Sequence, residues 1–316
     1  LLTRDDFDGF VCCLLLRKLD LIDEIKFVHP RDMQHHRVEI KDGDISANLP
    51  YVDGIYMAFD HHKSETLRIK DVRKNFICKP DCPSAARVIF EYFKMREKFP
   101  NVFDEVLMYL DKADTASFTK EEILDPKGWT LFNFILDPKT SFDRFHQFSM
   151  TNEELIRFLL DKFEGASVDD LLKLPPVQER ILMYHTYQEH FIDQINRCAL
   201  VHKNVVIVDL RDEEVIYPGN RFMVYALYPH CDLSLFIQKE NDTDKVTFSM
   251  GKSILKKTSP INVGELMLKY NGGGHVGAGT CQSTLPDVEK VKVDLMGDIL
   301  CNTKVLKERK TRCNCT

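Results

Sequence analysis

Asp60-His61-His62 sets three side chains able to bind or polarise a metal ion in consecutive positions, directly after the apolar run Gly54-Ile55-Tyr56-Met57-Ala58-Phe59. Such a run predicts a short buried strand, with the triplet delivered at its carboxyl end. Upstream, Leu1-Leu2-Thr3-Arg4-Asp5-Asp6-Phe7-Asp8-Gly9-Phe10 reads as a second short strand ending in carboxylates. Alternation along that strand predicts Asp6 and Asp8 on one side and Asp5 turned away from them. Carboxylates combined with imidazole suit Mn2+ or Mg2+ better than structural zinc, which prefers a closed set of Cys and His.

Two further acidic positions extend the set. Asp44 lies between Val38-Glu39-Ile40 and Ile45-Ser46-Ala47-Asn48-Leu49-Pro50, and Asp114 lies in Lys112-Ala113-Asp114-Thr115, with Asp111 an alternative ligand three residues earlier. Far downstream comes Asn271-Gly272-Gly273-Gly274-His275-Val276-Gly277. Glycines at 272–274 let backbone N–H groups approach an anion with no side chain in the way, and His275 can donate to a phosphate. Arg221 and Lys252-Ser253 are candidates for gripping a terminal phosphate or a base, set against the plainer reading of surface cations. His35-His36 follow a charged turn and are expected in solvent.

The elements that must hold these residues follow from periodicity. Helices are predicted over 10–21, 84–98 (capped by Ser84) and 102–113, and a strand over 26–29. Strands alternating with helices imply a mostly parallel, doubly wound α/β sheet, in which ligands bind beyond the carboxyl ends of the strands. After Thr119 the alternation fades into turns and short helices, and Pro175-Pro176 precedes a long amphipathic helix over 177–200 that reads as a connector. Beyond it, strands are predicted over 204–209, 222–228, 233–238, 246–250 and 279–282, and helices over 262–270 and 287–300. The expected organisation is a metal-binding domain over 1–170, a connector over 171–202 and a smaller α/β domain with a mixed sheet over 203–316.

Forty-three basic against forty-nine acidic residues give a net charge of −6, which argues against coating long duplex DNA but leaves small anionic substrates open. The longest early apolar stretch, residues 11–16, is far below the roughly 18 residues of a membrane span, and no export signal is evident. Ten scattered cysteines form no compact disulfide framework, so a reducing cytoplasm is the expected compartment.

Taken in order and spacing, Asp6/Asp8, Asp44, Asp60-His61-His62, Asp114 and Gly272-Gly273-Gly274-His275 resemble the DHH phosphoesterase superfamily, in the branch with the type 1 DHH-associated domain. The resemblance implies two divalent ions, Mn2+ or alternatively Mg2+, that together activate water against a phosphoryl group. It implies Asp6 on one ion, Asp8 on the other, Asp44 bridging both, and His61 and Asp114 completing the second ion's ligands. His62 then faces the substrate phosphate, Asp60 orients a histidine, and Gly272 to His275 form the substrate clamp. One departure stands out: the family usually carries histidine two or four residues before the first carboxylate, where this chain has Arg4 and Leu2. Water or another residue then completes the first ion, or that ion binds only with substrate; alternatively Arg4 contacts the phosphate itself.

The implied activity is hydrolysis of short nucleotides: very short oligoribonucleotides, bisphosphorylated adenosine or a linear dinucleotide. Short single-stranded RNA or DNA falls within that class. A polyphosphate- or pyrophosphate-cleaving enzyme is the alternative, and a non-catalytic metal-containing module the second. A homodimer is the assembly left to test.

Overall fold

In the computed structural model, which describes residues 1–142, 148–240 and 243–313, the short apolar runs of the first half become a parallel sheet. Its strands are β1 (Leu2–Thr3), β2 (Lys26–Phe27), β3 (Ile45–Ala47), β4 (Met57–Asp60) and β5 (Phe76–Cys78), in the order β2-β1-β3-β4-β5. Every neighbouring pair is parallel, so all carboxyl ends share one edge. Asp60 is the last residue of β4, as expected.

The first motif forms differently from expectation. β1 stops at Thr3, and helix α1 (Phe7–Lys18) begins three residues earlier than the periodicity suggests. Asp6 is its N-cap, accepting a hydrogen bond from Gly9 N at 3.0 Å, and Asp8 lies in its buried first turn. Strand alternation therefore does not relate the two carboxylates; a helix N-terminus does, because capping satisfies an amide that the helix leaves unpaired. Gly9 is required by this turn, since a Cβ there would stand 1.9 Å from Arg4 O. Asp5 faces the other way, its carbonyl accepting from Asn152 Nδ2, which agrees with a structural role.

Helices α2 (Pro30–Gln34) and α3 (Lys63–Arg68) follow β2 and β4. The helix expected over 84–98 is two, α4 (Ala85–Tyr92) and α5 (Met95–Lys98), broken at Lys94, whose φ of 50° is left-handed. Ser84 caps α4 as expected. Next come α6 (Asp104–Asp114), α7 (Lys120–Leu124), α8 (Gly128–Leu136), α9 (Asn152–Lys162) and α10 (Val168–Leu172), then the long α11 (Pro175–Cys198). Around α1, Phe7 and Phe10 pack on Trp129 and Phe132 of α8, with Phe7 and Trp129 ring centroids 5.8 Å apart. That aromatic cluster fixes α1, and with it the first motif.

The chain divides into two compact units, Leu1–Thr186 and Tyr187–Thr316. In the second, β6 (Ala199–His202), β7 (Val205–Asp209), β8 (Leu233–Lys239), β9 (Lys245–Lys252), β10 (Gly273–Gly274) and β11 (Ala278–Thr284) form a mixed sheet in the order β10-β11-β9-β8-β7-β6. Only β7 and β8 pair in parallel among its described strands. The strand expected over 222–228 is instead helix α12 (Met223–Leu227). Its residues 223–226 are all buried, and a short continuous apolar run carries no periodicity to separate helix from strand. Helices α13 (Val263–Leu268) and α14 (Val288–Cys313) pack their apolar faces, Val263, Leu266, Met267, Val288 and Leu295, on the sheet residues Leu235, Phe248 and Met250.

Gly9→Ala should destabilise the first unit by about 1–3 kcal/mol, the usual range for overpacking against backbone. Thermal unfolding checks this: an unchanged melting temperature would mean that the Arg4–Gly9 turn has room to relax.

Candidate metal centre

Three ligand atoms converge at the carboxyl edge of the parallel sheet. One atom each from Asp8, His61 and Asp114 lies within 4.8 Å of the others, and His61 Nε2 stands 3.7 Å from Asp114 Oδ2. Donors about 2.1 Å from a hard divalent ion stand roughly 3.0 Å apart in cis and 4.2 Å apart in trans positions of an octahedron. The 3.7 Å between His61 and Asp114 falls between those values, which makes the trio a candidate metal site.

Each ligand is fixed by a separate element. Asp8 is buried, and its Oδ2 and Oδ1 accept hydrogen bonds from Ala85 N at 3.0 Å and Ala86 N at 2.9 Å, the first amides of α4. Burial pushes the Asp8 carboxyl upward, opposed by the charge of His61 and by those two amides. His61 follows β4; burial lowers its pKa, opposed by the charges of Asp8 and Asp60, while its ring hydrogen-bonds the Cys82 backbone. Asp114 ends α6. The alternative ligand Asp111 is occupied elsewhere, accepting from Arg87 Nε at 2.9 Å and Ser84 Oγ at 3.1 Å.

Beside the trio, Asp60 is completely buried and its Oδ1 lies 2.7 Å from His62 Nδ1. Burial lowers the His62 pKa, but the Asp60 hydrogen bond and charge outweigh it, and the balance is upward. Arg4 Nη2 pairs with Asp6 Oδ2 at 2.9 Å. Asp6 leads the causes that raise the Arg4 pKa, with burial opposing and Asp114 and Asp8 adding to the rise.

Asp44 is not part of this arrangement. It precedes β3, its carbonyl accepts from Tyr56 N at the amino end of β4, and its Oδ2 caps Lys41 N at 2.7 Å. Four strand residues at about 3.3 Å each put that level roughly 13 Å from Asp60. The residue at the carboxyl end of β3 is Asn48, buried, with φ at 57°. Because β3 lies between β1 and β4, Asn48 stands between the two motifs. Asn48 Oδ1 and Asp60 Oδ2 are both buried with no protein hydrogen-bond partner, a costly state that a cation, water or substrate donor would relieve. The rule that selects β1 and β4, applied to β3, selects Asn48 over Asp44.

In the second unit, Gly272 and Gly274 serve close packing. A Cβ at Gly272 would meet Thr280 O at 2.1 Å, and one at Gly274 would meet Ala278 O at 2.3 Å. Gly272 N donates to Met267 O and His275 N to Ala278 O, so these two amides are already used, contrary to a cradle in which every N–H of the loop faces an anion. Gly273 has open space, and His275 is exposed. Gly251 pairs with Ala278 and lies under the Tyr225 hydroxyl, whose ionisation feels Arg221. Lys252 N donates to Gly277 O at 2.8 Å, which sets Lys252 beside the glycine hairpin. His35 and His36 are exposed, as expected.

Comparison with solved structures places this two-unit α/β fold among phosphoester hydrolases. The chain is 44% identical, with a TM-score of 0.81, to the pGpG-specific phosphodiesterase PggH from Vibrio cholrae, over 95% of this chain and 98% of that one. An exopolyphosphatase-related protein from Bacteroides fragilis shares the fold at 15% identity (TM-score 0.54, 96% and 92% covered). So does RecJ from Thermus thermophilus in complex with Mn2+, at 14% identity (TM-score 0.51, 95% of this chain and 51% of that one). No protein-family model and no curated protein matches the chain. The chain belongs to the DHH superfamily of phosphoesterases.

Replacing Asp8 by Asn, or His61 or Asp114 by Ala, should weaken Mn2+ binding by at least about 10-fold, as ligand loss does. Asp44→Ala should leave it unchanged. Isothermal titration with Mn2+ checks both; loss of binding in Asp44→Ala would return that residue to the centre.

Proposed function

We propose that this chain is a metal-dependent phosphodiesterase of short nucleotides, with the linear dinucleotide pGpG as its first candidate substrate. The observation that carries this reading is the 44% identity to PggH across nearly the full length of both chains. The metal-binding and substrate roles below extend it to individual residues.

In this reading Asp8, His61 and Asp114 hold the divalent cation, for which Mn2+ is the first choice and Mg2+ the second. When bound, the cation supplies Lewis-acid charge that polarises a phosphoryl oxygen and makes water a better nucleophile. Water adds to phosphorus, the bond from phosphorus to the ribose 3′ oxygen breaks, and pGpG yields two guanosine monophosphates. Asp60 holds His62 through Nδ1 at 2.7 Å, and in this reading the imidazole so oriented donates a proton to a phosphoryl oxygen or to the departing 3′ oxygen. Asn48 replaces Asp44 as the β3 contribution to the centre.

In the second unit, Arg221, Lys252, Gly273 and His275 are the candidates for holding a phosphate or base, with Gly272 and Gly274 shaping the hairpin. The partner is thus a small phosphorylated nucleotide, a class that includes very short single-stranded RNA or DNA. No described helix is long and apolar enough to cross a membrane, and the cysteine pattern of the sequence supports a cytoplasmic enzyme.

The experiment is a Mn2+ substrate panel: pGpG, di- to hexanucleotides, bisphosphorylated adenosine, pyrophosphate and polyphosphate. Turnover should be highest on pGpG and fall as the oligonucleotide lengthens; phosphate release from polyphosphate alone would overturn the reading. On the preferred substrate, His275→Ala should lower kcat/KM by roughly 10- to 1000-fold, the range for losing a charge-stabilising donor, at unchanged metal content. Unchanged kinetics would remove the hairpin from the substrate site.

A further inference from the structure

Leu2 and Arg4 stand where the family resemblance calls for histidine, and neither can donate to a cation. Leu2 is buried in an apolar cluster of Val28, Leu49 and Ala58. Arg4 is itself a cation, and it lies against the carboxylate that a first ion would need. Asp6 Oδ2 pairs with its guanidinium at 2.9 Å, and Asp6 Oδ1 accepts from Gly9 N at 3.0 Å. Both oxygens of Asp6 are therefore engaged within the protein. A divalent ion seated on Asp6 would meet the fixed guanidinium at close range in a half-buried site, where repulsion between like charges is weakly screened.

The resident trio does not involve Asp6. Asp8, His61 and Asp114 are the metal-competent group among the described residues, and the positive charge of Arg4 also acts on Asp114, Asp8 and His62. A guanidinium held by a carboxylate on one side still presents N–H donors on the other, in the planar fork that matches a phosphoryl group.

We propose that this centre holds one divalent cation, at Asp8, His61 and Asp114, and that Arg4 takes the place and the positive charge of a second ion, gripping a non-bridging phosphoryl oxygen of the substrate. This rests on the reading of the chain as a metal-dependent phosphodiesterase.

Titration of the full chain with Mn2+, following the free ion by electron paramagnetic resonance, should give one tight ion per wild-type chain. Arg4→His, which restores a ligand at that position, should bind two. Arg4→Ala should keep one ion, bound several-fold more tightly because a neighbouring cation is gone, while kcat/KM on pGpG falls by roughly 100-fold. Arg4→Lys should keep one ion and recover part of that loss, with both variants melting near the wild-type temperature. Two tight ions in the wild type with pGpG cleavage intact would overturn this proposal and leave the phosphodiesterase reading standing. So would an Arg4→His protein that stays at one ion, or an Arg4→Ala protein that loses its ion together with its activity. No bound Mn2+ and no pGpG cleavage would overturn both.

Discussion

The buried carboxylate of Asp8 is the constraint on which the first unit turns. A charge at that depth is costly unless something answers it, and the fold provides two amides at the N-terminus of α4 and the neighbouring His61. To bring those groups together, α1 must start immediately after β1, α4 must aim its first turn at α1, and β4 must end at Asp60. The aromatic packing of Phe7 and Phe10 against Trp129 and Phe132 holds the first of these relations, and Ser84 the second by capping α4. The amides are neutral, however, and burial still drives the Asp8 carboxyl upward. A divalent cation shared with His61 and Asp114, as proposed above, would supply that compensation.

Much of this was legible in the residues. Asp60 had to fall at a strand end because the apolar run before it is too short for a helix, and the parallel-sheet rule then chose the edge. Asp114 was preferred to Asp111 by the family resemblance, and the structure adds a physical reason, since Asp111 is engaged by Arg87 and Ser84. The first motif was misread as a strand because Asp6 and Asp8 alternate correctly for one; the competing signal was Asp at the cap with Gly three residues on. Asp44 was chosen by charge type, whereas strand direction favours an uncharged Asn48. The helix at 223–227 defeated periodicity because all of its faces that matter are apolar.

The glycine hairpin of the second unit shows how one composition can serve two ends. Gly272 and Gly274 are required because β11 passes too close for a side chain, which is a packing reason, and two of the loop amides are consumed internally. Gly273 has open space beside it, and His275 is exposed.

The location of the metal is the claim that the account depends on most. Anomalous scattering from crystals soaked in Mn2+, collected at the manganese edge, measures it directly. The account predicts a peak among Asp8, His61 and Asp114, with the Asp60 and His62 pair beside it. A peak at Asp44, or none within reach of Asp8, would contradict it.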